Sequence, residues 1–280
     1  VNYELYLNGF PLAVPLIVQG TGGALSFGQQ TSGVYTIWAT VVATGCQKEM
    51  QGTVTISPKP TVSAGADGVI CASSSFALNA TASNYSTLLW TSSGDGSFNP
   101  SNSLSAVYTP GNNDKLGGSI FLILKATGNT FCPGMVVRDT LVLAITALPT
   151  IEAGPNAMAC EDIGFQLVSS ASNFSSLLWN SSGDGSFSSQ TIVTPIYYAG
   201  ANDLTNGTAT LSVQAFGLGL CASEVAQDQP VLSFVELPVA NAGADGFVCA
   251  NGTYQLMGTG TDWTTALWTS SGDGEFGNAA

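Results

Sequence analysis

Apolar residues recur at every second position in short runs separated by Gly, Asn, Asp, Ser and Pro, a period of two that predicts strands buried on one face. Near the start, Tyr3, Leu5 and Leu7 share a face before an Asn8-Gly9 turn. In Gly33–Thr40, Val34, Thr36 and Trp38 alternate against Tyr35, Ile37 and Ala39. Between them lies the glycine-rich stretch 20–28, with a short strand inside it, and 52–56 closes this first module. Farther on, strands are predicted over 62–64, 69–71 and 76–80, in a run ending at Trp90, around Phe98, and over 104–108, 120–126 and 136–145, with a loop over 110–114. Ser, Thr, Asn and Gly occupy the exposed alternate positions, so almost no helix is expected.

One stretch is written three times. Leu-Leu-Trp-Thr-Ser-Ser-Gly-Asp-Gly-Ser-Phe at 88–98 recurs at 177–187 with Asn180 for the threonine, and at 266–276 with Ala266 first and Glu275 for the serine. Trp90, Trp179 and Trp268 are spaced by 89 residues both times. A strand, a tight turn at positive φ on Gly-Asp-Gly and a returning strand are expected, making each copy a hairpin. The period divides the chain into a partial module 1–58, full copies 59–147 and 148–236, and a partial copy 237–280. The first module reads as lacking its early strands and the last copy as lacking its late ones. The fold class is all-β, a tandem array of immunoglobulin-like sandwiches.

Composition narrows the function. With 45% hydrophobic and 8% charged residues the chain folds, and 280 residues exceed one ordinary core. Five basic residues against 18 acidic ones leave a net charge of -13, which excludes a nucleic-acid partner. No apolar run reaches the ~20 residues of a spanning helix. The chain has no histidine, so triads and histidine metal sites are absent from it, and no enzyme activity is expected. Asp67, Asp95 and Asp114, with Asp184 and Asp273 repeating Asp95, suit either calcium on loops or turns that favour Asp-Gly. Asn156 stands where the first copy has Asp67. Otherwise no cofactor is expected.

Cys46, Cys71, Cys132, Cys160, Cys221 and Cys249 are disulfide candidates, and five of them follow the repeat. They read either as bridges in an oxidising setting or as buried thiols. Cys71 and Cys132 have the spacing of an immunoglobulin bridge with a Trp between. Five strands separate them, however, which places them at opposite ends of a sandwich. A bridge from Cys71 to Cys221 across the junction of the copies is therefore favoured over Cys71 to Cys132. Trp90 and Trp179 read as core; Trp263, standing where the second copy has Phe174, is the one aromatic suited to a glycan site.

The Trp-x-x-x-Gly-Asp-Gly pattern resembles the polycystic-kidney-disease (PKD) domain. Ala-Gly-Ala-Asp-Gly-Val-Ile-Cys, Trp-Thr-Ser-Ser-Gly-Asp-Gly-Ser-Phe and Tyr-Thr-Pro-Gly-Asn-Asn-Asp are similar to PKD-like repeats of very large Bacteroidota surface proteins. Tyr-Leu-Asn-Gly and Gly-Thr-Gly-Gly-Ala-Leu-Ser-Phe-Gly in the first module resemble another repeat type of those proteins. The resemblance implies an extracellular, cell-surface location and a non-catalytic stalk holding an adhesive tip or forming a filament. Its implied partners are the type IX secretion machinery, an outer-membrane anchor, and surface glycans or proteins reached through that tip. Asp139-Thr140-Leu141 resembles the short O-glycosylation signal of that group, making Thr140 a candidate. The alternative is an accessory glycan- or protein-binding module on a secreted enzyme.

Overall fold

The computed structural model describes residues 1–277 apart from Asp162. At 44% strand and 5% helix it is an all-β chain of tandem immunoglobulin-like sandwich repeats. Two compact units divide it, Val1–Ala147 and Leu148–Ala280.

In the first unit, Asn2–Leu7 pairs antiparallel with Gly33–Thr40 from Asn2↔Thr40 to Leu7↔Tyr35. The alternation predicted there buries Leu5 and Tyr35. Short strands Phe10–Pro11, Ile17–Gln19, Gln47–Glu49 and Val54–Ile56 complete this six-stranded sheet. The strand expected inside 20–28 is absent. Gly22 and Gly28 hold positive φ there, which breaks pairing, and the strand lies just before, at Ile17–Gln19.

Residues 59–147 form a sandwich. One sheet runs in the order Tyr85–Ser92, Ser119–Gly128, Val136–Thr146, Gly68–Cys71, the last pair parallel. The other is Ser97–Asn99, Val107–Thr109, Phe76–Ala77. Thr61–Ser63 and Thr81–Ser83 pair separately. Strict alternation along Ser119–Gly128 sends Ile120, Leu122, Leu124 and Ala126 inward to meet Trp90, Leu141, Leu143 and Tyr108. The strand expected over 76–80 is regular only at Phe76–Ala77. Beyond it the N–H groups of Leu78 and Ala80 still donate to the carbonyls of Ala106 and Leu104.

The Gly-Asp-Gly segment is not a hairpin turn. Tyr85–Ser92 and Ser97–Asn99 belong to different sheets, so the segment carries the chain across the sandwich. Nor do Gly94, Asp95 or Gly96 adopt positive φ. The loop expected over 110–114 also differs: it opens a short helix, Asn112–Gly117, ended by Gly118 at φ 72.

The second unit repeats this plan. Phe174–Ser181, Thr208–Gly217, Val231–Val235 and Ala157–Cys160 form one sheet, Phe165–Gln166, Ile196–Tyr198 and Ser186–Phe187 the other, and Ala201–Asn206 is the helix. The long last strand of the first copy is broken here into Val225–Asp228 and Val231–Val235. Pro230, which cannot donate to the ladder, stands between them. Within 237–277 one strand pair forms, Val239–Asn241 with Thr259–Thr261. Phe247, Met257 and Leu267 are exposed there, Phe247 by 99%. The 50% exposure of Trp263 belongs to this general opening of the segment and is no sign of a built sugar platform.

Candidate functional site

The repeated motif converges on one buried carboxylate. Asp114, 1% exposed, sits at the third position of the helix Asn112–Gly117. Its Oδ2 accepts the Tyr108 hydroxyl at 2.6 Å and the N–H of Gly111 at 2.9 Å, and its Oδ1 accepts the N–H of Asp95 at 3.0 Å. Asp95 answers from the other loop: its carboxylate accepts the N–H groups of Asn113 at 3.1 Å and Asp114 at 3.2 Å. A helix start leaves such donors without intrahelical partners. The residue before this helix, Gly111, has no side chain to take them, so Asp95 serves as the cap from a distance.

The glycines make room for this exchange. A Cβ on Gly94 would overlap Asp114 Oδ1, one on Gly96 the Tyr108 hydroxyl, and one on Gly111 the Asp95 carboxylate. Gly-Asp-Gly is thus two gaps flanking an acceptor. Against the same latch stacks an aromatic column, Trp90 to Phe98 with centroids 5.8 Å apart and Phe98 to Tyr108 at 4.7 Å. The Trp90 indole N–H donates to Ser103 O at 2.9 Å.

The second copy rebuilds the latch. Asp203 Oδ2 accepts Tyr197 Oη at 2.6 Å, Gly200 N at 3.0 Å and Gly185 N at 3.1 Å, while Asp184 accepts the N–H groups of Asn202 and Asp203. One difference separates the copies: Asp203 Oδ1 is buried without a hydrogen-bond partner, where Asp114 Oδ1 holds Asp95.

Burial pushes the Asp114 carboxyl up, but the bonds donated by Tyr108 and by the backbone of Gly111, Asp95 and Gly96 outweigh it. The group titrates below its ordinary 3.8. Burial, then the bond to Asp114, pushes the Tyr108 hydroxyl up to about 12, and Tyr197 beside Asp203 likewise to about 12. A lowered carboxyl stabilises the fold above its ordinary value and loses that contribution as pH falls through the folded value. A raised phenol stabilises it below pH 10 and loses that contribution as pH rises toward about 12. The first copy is therefore expected to keep full stability between roughly pH 5 and 9 and to weaken at both extremes, and the second copy to weaken at the alkaline one. Tyr108→Phe should remove the alkaline loss in copy one, read by denaturant midpoints at stepped pH.

The other repeated acids also hold backbone. Asp139 Oδ2 accepts Ala64 N at 2.8 Å, and Asp228 accepts Ala153 N at 2.7 Å, each tying the first strand of its copy to the last. Asp67 Oδ1 accepts Val142 N at 2.7 Å, and Asn156 Oδ1 accepts Val231 N at 2.8 Å. Only a neutral acceptor is needed at this place, which explains the Asp/Asn exchange. Asp67→Asn is accordingly expected to change stability by less than about 0.5 kcal/mol, measured by urea denaturation.

Of the two readings of Asp67, Asp95 and Asp114, calcium or turn-forming Asp-Gly, neither is built as such here: their carboxylates accept N–H and O–H donors of their own chain. Among the described residues no group of three or more potential ligands converges. Asp273 lies in the open segment, where Gly272 and Gly274 meet no partner loop. Thr140 is an exposed strand residue paired with Ile123, and its neighbour Asp139 is engaged with Ala64. Sequence reading missed Tyr108, Gly111 and the helix cap. The signal was present in Pro-Gly-Asn-Asn-Asp-Lys-Leu-Gly-Gly, an acid three residues after a helix-entry glycine and a glycine exit.

Cys71 and Cys221 are disulfide-bonded, and both are buried. Cys46, Cys132, Cys160 and Cys249, the other four candidates, are free thiols, and none of these four is buried. Cys46 sits in an exposed turn closed by the bond from Val41 N to its carbonyl. The half-buried Cys132 lies with Sγ 4.0 Å from Ser57 O, so the Cys71–Cys132 alternative is not formed.

These features define a class: tandem all-β sandwich repeats in which the recurring polar residues bind backbone. No family model and no curated protein matches the chain. Among solved structures it is similar to the titin I-band fragment I67–I69, at 13% identity and TM-score 0.43, covering 84% of this chain and 87% of that one. It is also similar to mouse cadherin-23 EC22–24, at 11% identity and TM-score 0.40, covering 84% and 86%.

Proposed function

We propose that the chain is a non-catalytic structural repeat region of a secreted surface protein, one that carries a functional tip away from the cell or builds a surface filament. The observation that carries this reading is the double construction of the same latch. Asp95, Asp114, Asp139 and Asp67, with their counterparts in copy two, spend their acceptors on backbone and hydroxyl donors of their own domain. A site for chemistry or for a ligand would keep some of them convergent and unengaged. The resemblance to Bacteroidota PKD-like repeats favours export by the type IX system, a surface anchor and a distal adhesive domain as context.

We further propose that the two buried half-cystines, Cys71 and Cys221, are bonded to each other and staple the consecutive copies. Such a bond shields residues 72–220 from a pulling force, because tension passes through the sulfurs. Single-molecule stretching tests both statements. The oxidised chain should yield little length from these copies, and mild reduction should release about 500 Å more, the extended reach of that loop. Full extension without reductant overturns the staple. Specific binding of the chain on a glycan array, lost in a Trp263→Ala variant, would instead support the accessory-module reading.

A further inference from the structure

The two full copies share one fold, so the second serves as a control for what the first needs in order to fold. Their cores agree: Trp90 and Trp179, Leu122 and Leu211, Leu143 and Leu232, Tyr108 and Tyr197 are all buried. Their outward sheet faces do not. Across Tyr85–Ser92, Ser119–Gly128, Val136–Thr146 and Gly68–Cys71 the first copy presents a row of Leu89, Lys125 and Arg138, which are register partners. Next come Thr91, Ile123 and Thr140, then Phe121 beside Val142, then Ala144 beside Val69. Val69 is 56% exposed, Phe121 53%, Leu89 44% and Val142 37%, so nothing in the unit covers this strip.

At the same places the second copy carries Thr210 for Phe121, Ser212 for Ile123, Gln214 for Lys125, Gln227 for Arg138 and Ser233 for Ala144. The register pairs Thr210↔Val231 and Gln214↔Gln227 match Phe121↔Val142 and Lys125↔Arg138. Leu178, Met158 and Val231 keep apolar residues at the places of Leu89, Val69 and Val142, so the fold dispenses with Phe121, Ile123 and the two cations rather than with the whole strip. Placing Lys125 directly across from Arg138 costs stability, because like charges opposite one another repel. None of the residues alternating outward on these four strands is acidic. Asp67, at the rim, is held by Val142 N. An exposed apolar strip beside two unneutralised cations is the signature of a docking surface.

The charge of the chain says what fits it. All five basic residues lie in Val1–Ala147, against six of the acids, a net charge of -1; Leu148–Ala280 holds the other twelve acids and no cation, a net of -12. Two such chains repel where their second units meet. They attract where the cationic strip of one meets the acidic unit of the other. We propose that the outward sheet face of residues 59–147 docks laterally on residues 148–280 of a second copy of the chain, in a staggered, heterologous contact. Such a contact leaves the pair with one strip, on one chain, and one acidic unit, on the other, unused, so it propagates along a bundle without closing. This inference stands apart from the stalk reading, since a spacer works with or without lateral contacts.

Sedimentation velocity tests it on the full chain with Cys46, Cys132, Cys160 and Cys249 replaced by Ser, which removes adventitious disulfides. Concentration-dependent association is expected at about 20 mM NaCl, weakening at about 500 mM as the Debye length shrinks. A variant with Phe121→Thr, Ile123→Ser, Lys125→Gln and Arg138→Gln carries the residues that copy two already folds with. It should keep the circular dichroism and melting of the parent and associate at least about tenfold more weakly. Carbodiimide coupling between isotopically distinct chains should join Lys125 to carboxylates within 148–280. A monomer at both salt concentrations, association unchanged by the four substitutions, or cross-links confined to 1–147 overturns the proposal. So does a monomer whose strip captures heparin, or a native chain bearing a glycan on Thr140, at the centre of the face.

Discussion

Asp114→Ala is expected to destabilise the first copy by about 3–5 kcal/mol, the range for breaking a buried charged network by deleting one member. The reason is the number of groups abandoned. Tyr108 Oη, the N–H of Gly111 and the N–H of Asp95 each lose their acceptor, and the helix start loses the residue that Asp95 caps. Each buried donor left alone costs about 1–3 kcal/mol, less whatever water recovers. A domain of this size has only about 5–15 kcal/mol to lose. Hydrogen exchange followed by mass spectrometry supplies the measurement with an internal reference: protection should fall over Tyr85–Ser92 and Ser119–Gly128 and persist over Phe174–Ser181 and Thr208–Gly217 in copy two. In a double-mutant cycle Tyr108→Phe should add little once Asp114 is gone, a coupling of about 1–3 kcal/mol. If chelator lowers the native chain to the level of the variant, Asp114 is a metal ligand and the latch reading fails.

How much of this was legible from the sequence depends on the range of each interaction. The alternation that buries Leu122, Leu124 and Leu143 is local and period-two, and the sheets follow it. The burial of Trp90 and Trp179 was likewise readable, since each ends an apolar run in a repeated context. Gly-Asp-Gly was misread because local rules give glycine one main use, positive φ, whereas Gly94 is required by the side chain of Asp114 and Gly96 by that of Tyr108, both arriving from later, distant segments of the chain. The helix Asn112–Gly117 was missed for a related reason. At 6 residues it is too short to show a period, and its cap sits in another loop. The Asp-to-Asn exchange at Asp67 and Asn156 argued against a metal, yet its positive meaning, a neutral acceptor for Val142 or Val231, needed the register of the parallel strand pair. What alternation encodes is seen from sequence; what two distant loops build between them is seen only when they meet.

Gly94→Ala, the addition of one methyl group, is expected to cost about 2–4 kcal/mol, the upper range of overpacking together with displacement of a hydrogen-bonded carboxylate. Gly94 does not hold positive φ, so backbone preference gives no reason for a penalty, and alanine would ordinarily be accepted or mildly favoured there. The cost comes from space: the new Cβ falls on Asp114 Oδ1, and the carboxylate cannot retreat without releasing Tyr108 and Gly111. Gly117 provides the opposite case within the same latch. It ends the helix at ordinary φ with nothing within 4 Å of an added Cβ, so Gly117→Ala should stabilise by up to about 1 kcal/mol through helix propensity. The same chemical change is thus predicted to carry opposite signs at two glycines that meet one helix. Combining Gly94→Ala with Asp114→Ala should cost less than the two separately by about 1–3 kcal/mol, because removing the carboxylate empties the space the methyl needs. Urea midpoints of the single and double variants decide the matter, and strict additivity would mean that Gly94 is there for a reason other than room for Asp114.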